Sequence, residues 1–161
     1  MDIQILTLVL VCILLAVIYA LPLITLSILA WRDLKTCTVK NWQLLLFTLS
    51  LVPFGIFWWI GAGSLYALLI SAVIITGAVL LKHFNKLAAG DAYMIIPAAA
   101  AFGSDSLLLL AGSLLFTAVF FVVRKKQEGK KVPYAPGLLA AMAVLVIPNI
   151  YVILATIPAI L

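Results

Sequence analysis

Charge is scarce in this sequence. Ten Lys and Arg, five Asp and Glu and one His are spread through 161 residues, so 9% of the chain is charged, where a soluble domain carries about a quarter. With 67% hydrophobic residues and a mean hydropathy of +1.34, that scarcity excludes a soluble globular domain. It implies a polytopic protein of the lipid bilayer. Cysteine is nearly absent too: Cys12 and Cys37 form no CxxC pair, which excludes a disulfide framework and a thiolate zinc site. The one histidine, His83, is too little for a metal centre with this ligand set and is expected at the membrane interface. No metal and no cofactor is expected. The basic loops have few aromatic rings to stack on bases, which argues against a nucleic-acid partner. There is no repeat, low-complexity tract or flexible linker, and no room for a separate soluble domain, so residues 1–161 are read as a single transmembrane domain.

What is abundant is apolar sequence, in six candidate spans at about 3–31, 42–60, 64–82, 91–103, 106–123 and 134–160, against about 20 apolar residues needed per helix. The fold class expected is all-α, with about six transmembrane helices. The fourth span is short and is read as having a re-entrant or loop-like start, admissible only where it is covered by protein or lines a cavity. The first is read as a retained span, since Asp2 stands where a signal peptide is basic and the apolar run continues to about Trp31. Pro22, Pro97 and Pro148 fall inside spans and are expected to kink them. Trp42, Trp58 and Trp59 fall at span ends, as interfacial anchors do. Trp31 is read either as another anchor or as part of a site wall.

All ten basic residues (Arg32, Lys35, Lys40, Lys82, Lys86, Arg124, Lys125, Lys126, Lys130 and Lys131) fall in the first, third and fifth connections. The positive-inside rule therefore makes those loops cytoplasmic and both termini external. The 124–131 cluster is read as a topology signal, with attraction to anionic headgroups as the lesser alternative. On the same face lies the stretch 82–97, a basic loop that passes through small residues to Asp91 and straight into an apolar segment. An acid entering a membrane segment is costly, and its usual explanation is function.

Its partner is read as Asp33, where the first helix leaves the membrane on that same face. Two facing carboxylates do not both ionise, so one holds a proton while the other is basic. Such a pair activates a water against a peptide carbonyl and protonates the leaving amine, titrating as a unit. The plainer alternative makes each acid a helix cap or a partner of Arg32 or Lys86. Asp105 falls on the opposite face. Glu128 sits among lysines that make it a solvated charge partner, and Asn149 is read as an interhelical hydrogen-bond former. Gly90 allows either close approach of a substrate backbone or a positive φ, and the run Ala88-Ala89-Gly90 keeps the approach narrow. Close helix packing by small residues is the competing explanation. Two prolines in Val132-Pro133-Tyr134-Ala135-Pro136-Gly137 are expected to prevent regular helix until about Gly137, unless they mark a simple helix start with proline in its first turn.

These residues resemble the type IV prepilin peptidases and archaeal preflagellin peptidases, membrane aspartyl proteases of the GxGD type. Asp33, Lys35 and the triplet Val39-Lys40-Asn41 match the family's first motif, with lysine where proline is usual. Ala88-Ala89-Gly90-Asp91 matches the second, GxGD, except for alanine at the first glycine, and Tyr93 stands where many bacterial members have lysine. Pro133-Tyr134-Ala135-Pro136 looks like the element that opens the family's last helix. Presenilin-like proteases share GxGD but have more helices than this chain accommodates.

The resemblance implies an aspartic endopeptidase with Asp33 and Asp91 as catalytic residues. Gly90, Ala88, Lys35, Asn41, Pro133 and Pro136 would bind substrate or shape the site. It implies the short peptidase-only type, without N-methyltransferase activity, cutting prepilin or preflagellin precursors between a basic leader and an apolar helix at the cytoplasmic face of the cell membrane. Two other readings remain open: a small ion- or proton-coupled transporter or channel subunit in which the two acids bind a cation, and a peptidase-like scaffold of a pilus assembly system that does not cut.

Overall fold

A computed structural model describes residues 3–36, 38–124 and 133–160. These fold into six helices: α1 (Ile3–Thr36), α2 (Asn41–Ala62), α3 (Leu65–His83), α4 (Ala89–Phe102), α5 (Ser106–Arg124) and α6 (Ala135–Ile160), with a 3₁₀ turn at Gly103–Asp105 between α4 and α5. Each expected span contains one helix. The six-span expectation is nevertheless corrected at one place. Five stretches are long and apolar enough to cross a membrane, and the fourth, Ala89–Val122, runs through both α4 and α5. With 14 residues, α4 is about 21 Å long, less than a hydrocarbon layer of about 30 Å.

Neighbouring helices run antiparallel. Thr25 on α1 bonds Ser50 on α2 at 2.9 Å, and Tyr19 meets Phe54 further along, ring centroids 5.2 Å apart. The Ser71 hydroxyl of α3 donates to the Ala99 carbonyl of α4 at 2.9 Å, and Lys82 reaches Tyr93 at 2.9 Å. The helices α1 and α6 touch both at Asp33 with Ala135 and at Cys12 with Thr156. The chain therefore brings the C-terminal ends of α1, α3 and α5 and the N-terminal ends of α2, α4 and α6 to one end of the bundle. The start of α1 and the end of α6 lie at the other.

The core is a cluster in which Leu26, Leu29, Phe47, Phe54, Phe102, Met142 and Val146 are fully buried. In a membrane, apolar residues gain nothing by hiding from lipid, and close backbone approach holds helices together instead. A Cβ on Gly55 would stand 3.2 Å from the Ala101 Cα, and one on Gly112 3.1 Å from the Ala141 Cβ. Outward-facing positions are correspondingly apolar, as at Ile24, Leu45, Leu69, Leu115 and Val144.

Several local expectations change. Trp58 is half-buried and packs against Phe54 and Phe102, with centroids 5.5 Å away in each case. Trp59 donates its indole N–H to the Ala100 carbonyl at 2.8 Å. Of these three, Trp42 keeps the exposure of a belt residue. The other two sit where α2 crosses α4, Trp58 against the Phe102 ring and Trp59 beside Gly103. Asn149 bonds the Leu145 carbonyl of its own helix at 2.8 Å, so the interhelical bond expected of it is not formed. Pro22, Pro97 and Pro148 do lie inside helices, and so do Pro53 and Pro158.

Candidate active site

At the end of the bundle where α1 finishes and α4 and α6 begin, three chain segments converge. Asp33 lies in the last turn of α1 and is 6% exposed. Its Oδ2 accepts the backbone N–H of Ala135, the first residue of α6, at 3.0 Å. A helix start has donors with no intrahelical acceptor, and Pro136 in this first turn has no N–H to offer. Asp33 thus supplies from another helix the carboxylate that caps α6. Here α6 is regular from Ala135, two residues before the expected start near Gly137. Proline fits because the first turn needs no N–H at that position. Pro133 and Pro136 are both buried and shape this entrance.

Asp91 is in the first turn of α4, where the positive end of the helix dipole favours an acid. It is partly buried and close enough to Asp33 for the two charges to act on one another. Its charge also reaches Tyr134. Among the described residues it forms no ion pair, with Lys86 or any other base. The two acids singled out in the sequence, 58 positions apart, thus lie at the same end of the bundle. Asp105 is at the far end of α4, and Glu128 lies outside the described residues, as do Cys37 and Lys125 through Lys131.

The remaining site residues divide. Ala88 is the N-cap of α4, in extended conformation and without a side-chain bond. Gly90 has no positive φ, so that explanation for its presence falls. Among the described residues a Cβ there would meet no atom of another segment within 4 Å, so packing against them does not require glycine either. What surrounds it is open space next to Asp91. Lys35 is exposed, its Nζ 4.4 Å above the Trp31 ring, and Trp31 is 64% exposed. Tyr93, at the position where lysine is common in the resembled family, carries Lys82: the Nζ donates to its hydroxyl and sits 4.2 Å above its ring. His83 is exposed.

Asn41 opens α2. There the Gln43 side chain accepts the Lys40 N–H at 3.2 Å, half of a capping box. Asn41 also marks the mouth of a groove of about 460 Å³ between α2 and α4, lined by Leu45, Thr48, Tyr93, Ile96 and Pro97 among others. Thr48 and Pro97 also border a second hollow of about 290 Å³ that continues to Trp59. Two mostly apolar hollows that share Thr48 and Pro97 therefore follow one another along the outside of α2 and α4.

Sequence reading missed what holds this arrangement from behind. The hydroxyls of Ser113 and Tyr134 lie 2.7 Å apart, and a Cβ on Gly137 would strike Thr117 and stand 2.6 Å from the Ser113 carbonyl. The sequence offers only small residues on α5 and α6 as a hint. Protein-family models, curated proteins and solved structures were each compared with this chain, and none matches it.

Proposed function

We propose that this protein is a membrane aspartic endopeptidase of the prepilin and preflagellin peptidase kind, acting on precursors in which a short leader precedes an apolar helix. The observation that carries the reading is the placement of Asp33 and Asp91 at one end of the bundle, at the close of one helix and the start of another, where the charge of one acts on the other. One carboxylate takes a proton from a water, which attacks the scissile carbonyl. The other holds a proton, polarises that carbonyl and passes the proton to the departing amine. The Ala135 N–H keeps Asp33 oriented throughout.

Two surroundings support this chemistry. Open space at Gly90 leaves room for a peptide backbone beside Asp91, and the α2–α4 groove gives an apolar segment a path away from the cut. Pro97 has no N–H, so the Tyr93 carbonyl one turn earlier lacks its helical donor and is suited to receive one from a bound peptide. A transport site is expected near the bilayer midplane, whereas both acids occupy helix ends, which favours proteolysis.

Co-expression with tagged prepilin-like precursors tests the proposal. A mobility shift is expected, and N-terminal sequencing of the product should place the cut at the junction of leader and apolar helix. No shift with any such precursor would leave a scaffold that does not cut. Orientation follows from the basic residues gathered at the aspartate end: loops 32–41, 82–90 and 124–133 face the cytoplasm. After replacement of Cys12 and Cys37, single cysteines in 124–131 should stay unlabelled by an impermeant reagent added outside intact cells. Labelling there would separate the aspartates from any cytoplasmic cut.

A further inference from the structure

We propose that Tyr134 and Ser113 are positioning residues for the aspartate pair: their hydroxyl–hydroxyl bond pins the first turn of α6 to α5, and that turn presents the N–H that orients Asp33. The assignment rests on the proteolytic reading above.

The direction of the bond follows from hydrogen counting. The Ser113 Oγ already donates to the Leu110 carbonyl at 2.8 Å, and a serine has a single O–H. In the 2.7 Å contact between the hydroxyls Tyr134 is therefore the donor and Ser113 the acceptor. Both residues are buried, so water does not replace either partner.

Tyr134 also stands immediately before α6. Its carbonyl accepts the Leu138 N–H at 3.1 Å, and the next residue, Ala135, donates to Asp33. Three residues later in the motif, Gly137 lets the same turn sit against Ser113 and Thr117 of α5. One turn of helix is thus fastened to α5 on one side and to Asp33 on the other, with Asp91 near enough to act on Tyr134. A rigid link of this kind transmits any shift of Tyr134 to the carboxylate, and catalysis is sensitive to displacements of about 1 Å.

Tyr134→Phe removes the donor but keeps the ring, and leaves Ser113 bonded to Leu110. Ser113→Ala removes the acceptor. The test uses full-length protein in membranes and a tagged prepilin-like precursor with a basic leader and an apolar helix. Each variant is expected to lower kcat per folded molecule about 10- to 100-fold, with KM changed less than about two-fold. The double variant should be no slower than the slower single one, because both break the same bond. Ser27→Ala, which removes an exposed hydroxyl bonded only to Leu23 of its own helix, should leave cleavage unchanged.

Wild-type kcat in Tyr134→Phe would overturn the assignment. So would losses that merely follow the amount of folded protein, or that multiply in the double variant. If Tyr134→Phe fails to accumulate, Ser113→Ala decides by the same criteria. Absence of cleavage by the wild type overturns the proteolytic reading and this assignment with it, whereas cleavage by wild type and Tyr134→Phe at one rate overturns this assignment alone.

Discussion

Asp33→Asn and Asp91→Asn should each abolish precursor cleavage while leaving the protein folded in the membrane. In the proposed mechanism the pair holds one proton between two carboxyl groups, and an amide can neither take that proton nor give it up. Losing general acid or base action alone costs about 10²- to 10⁴-fold. Because the groups act as a unit, the double variant should be about as inactive as either single one. Folding is expected to survive for a reason visible in the structure: in Asp33→Asn the amide carbonyl still accepts the Ala135 N–H that Asp33 receives at 3.0 Å. Asp91 has no ion pair among the described residues to lose, and its place in the first turn of α4 tolerates asparagine. Asp105→Asn is the control, at the opposite end of α4, and should cleave at nearly the wild-type rate. Accumulation should be measured by blot and cleavage by the product's mobility. Substantial product from either of the two variants would sink the aspartyl mechanism, whatever the family resemblance.

The second large effect is a contrast between two glycines. Gly90→Val should give a protein that accumulates and melts normally but cleaves at least about ten-fold more slowly, since its Cβ enters the open space next to Asp91 and meets no other segment among the described residues. Helix formation is no obstacle, because valine in a helix is if anything better than glycine. Gly137→Val should instead lose the folded protein. Its first added carbon already falls on Thr117 and 2.6 Å from the Ser113 carbonyl, and the backbone there has nowhere to retreat without opening α5 from α6. Overpacking of this kind costs about 1–3 kcal/mol or more. Ala88→Gly, at the exposed N-cap of α4, should be tolerated. Normal activity per molecule in Gly90→Val would remove the substrate path from beside Asp91. Normal abundance of Gly137→Val would mean that the two helices are not held as closely as described.

The aromatic residues show how far local patterns reach. Trp42, Trp58 and Trp59 all fall at ends of apolar spans, and position along the sequence does not distinguish them. Their fates diverge because α4, a helix one turn or more shorter than its neighbours, places Phe102 beside the end of α2 and draws Trp58 inward. Asn149 is a similar case. A polar group in an apolar span must find a partner, but the sequence does not say whether that partner is another helix or the carbonyl four residues back, which is the one it takes.

What the sequence determined by itself was the set of helices and the common end at which the acids lie. Both follow from one-dimensional physics: lipid demands long apolar runs with internally bonded backbones, and alternating connections place every second helix end on the same face. That is why Asp33 and Asp91 stand out in the sequence alone. Only the tertiary structure decided that the two are within reach of each other, that the N–H of Ala135 grips Asp33, that Ser113 anchors Tyr134, and that Gly90 is open while Gly137 is closed. Each of these depends on how closely and at what rotation two helices pack, a matter of side-chain volumes between residues far apart in the chain, and the hydropathy of either helix alone carries no record of it.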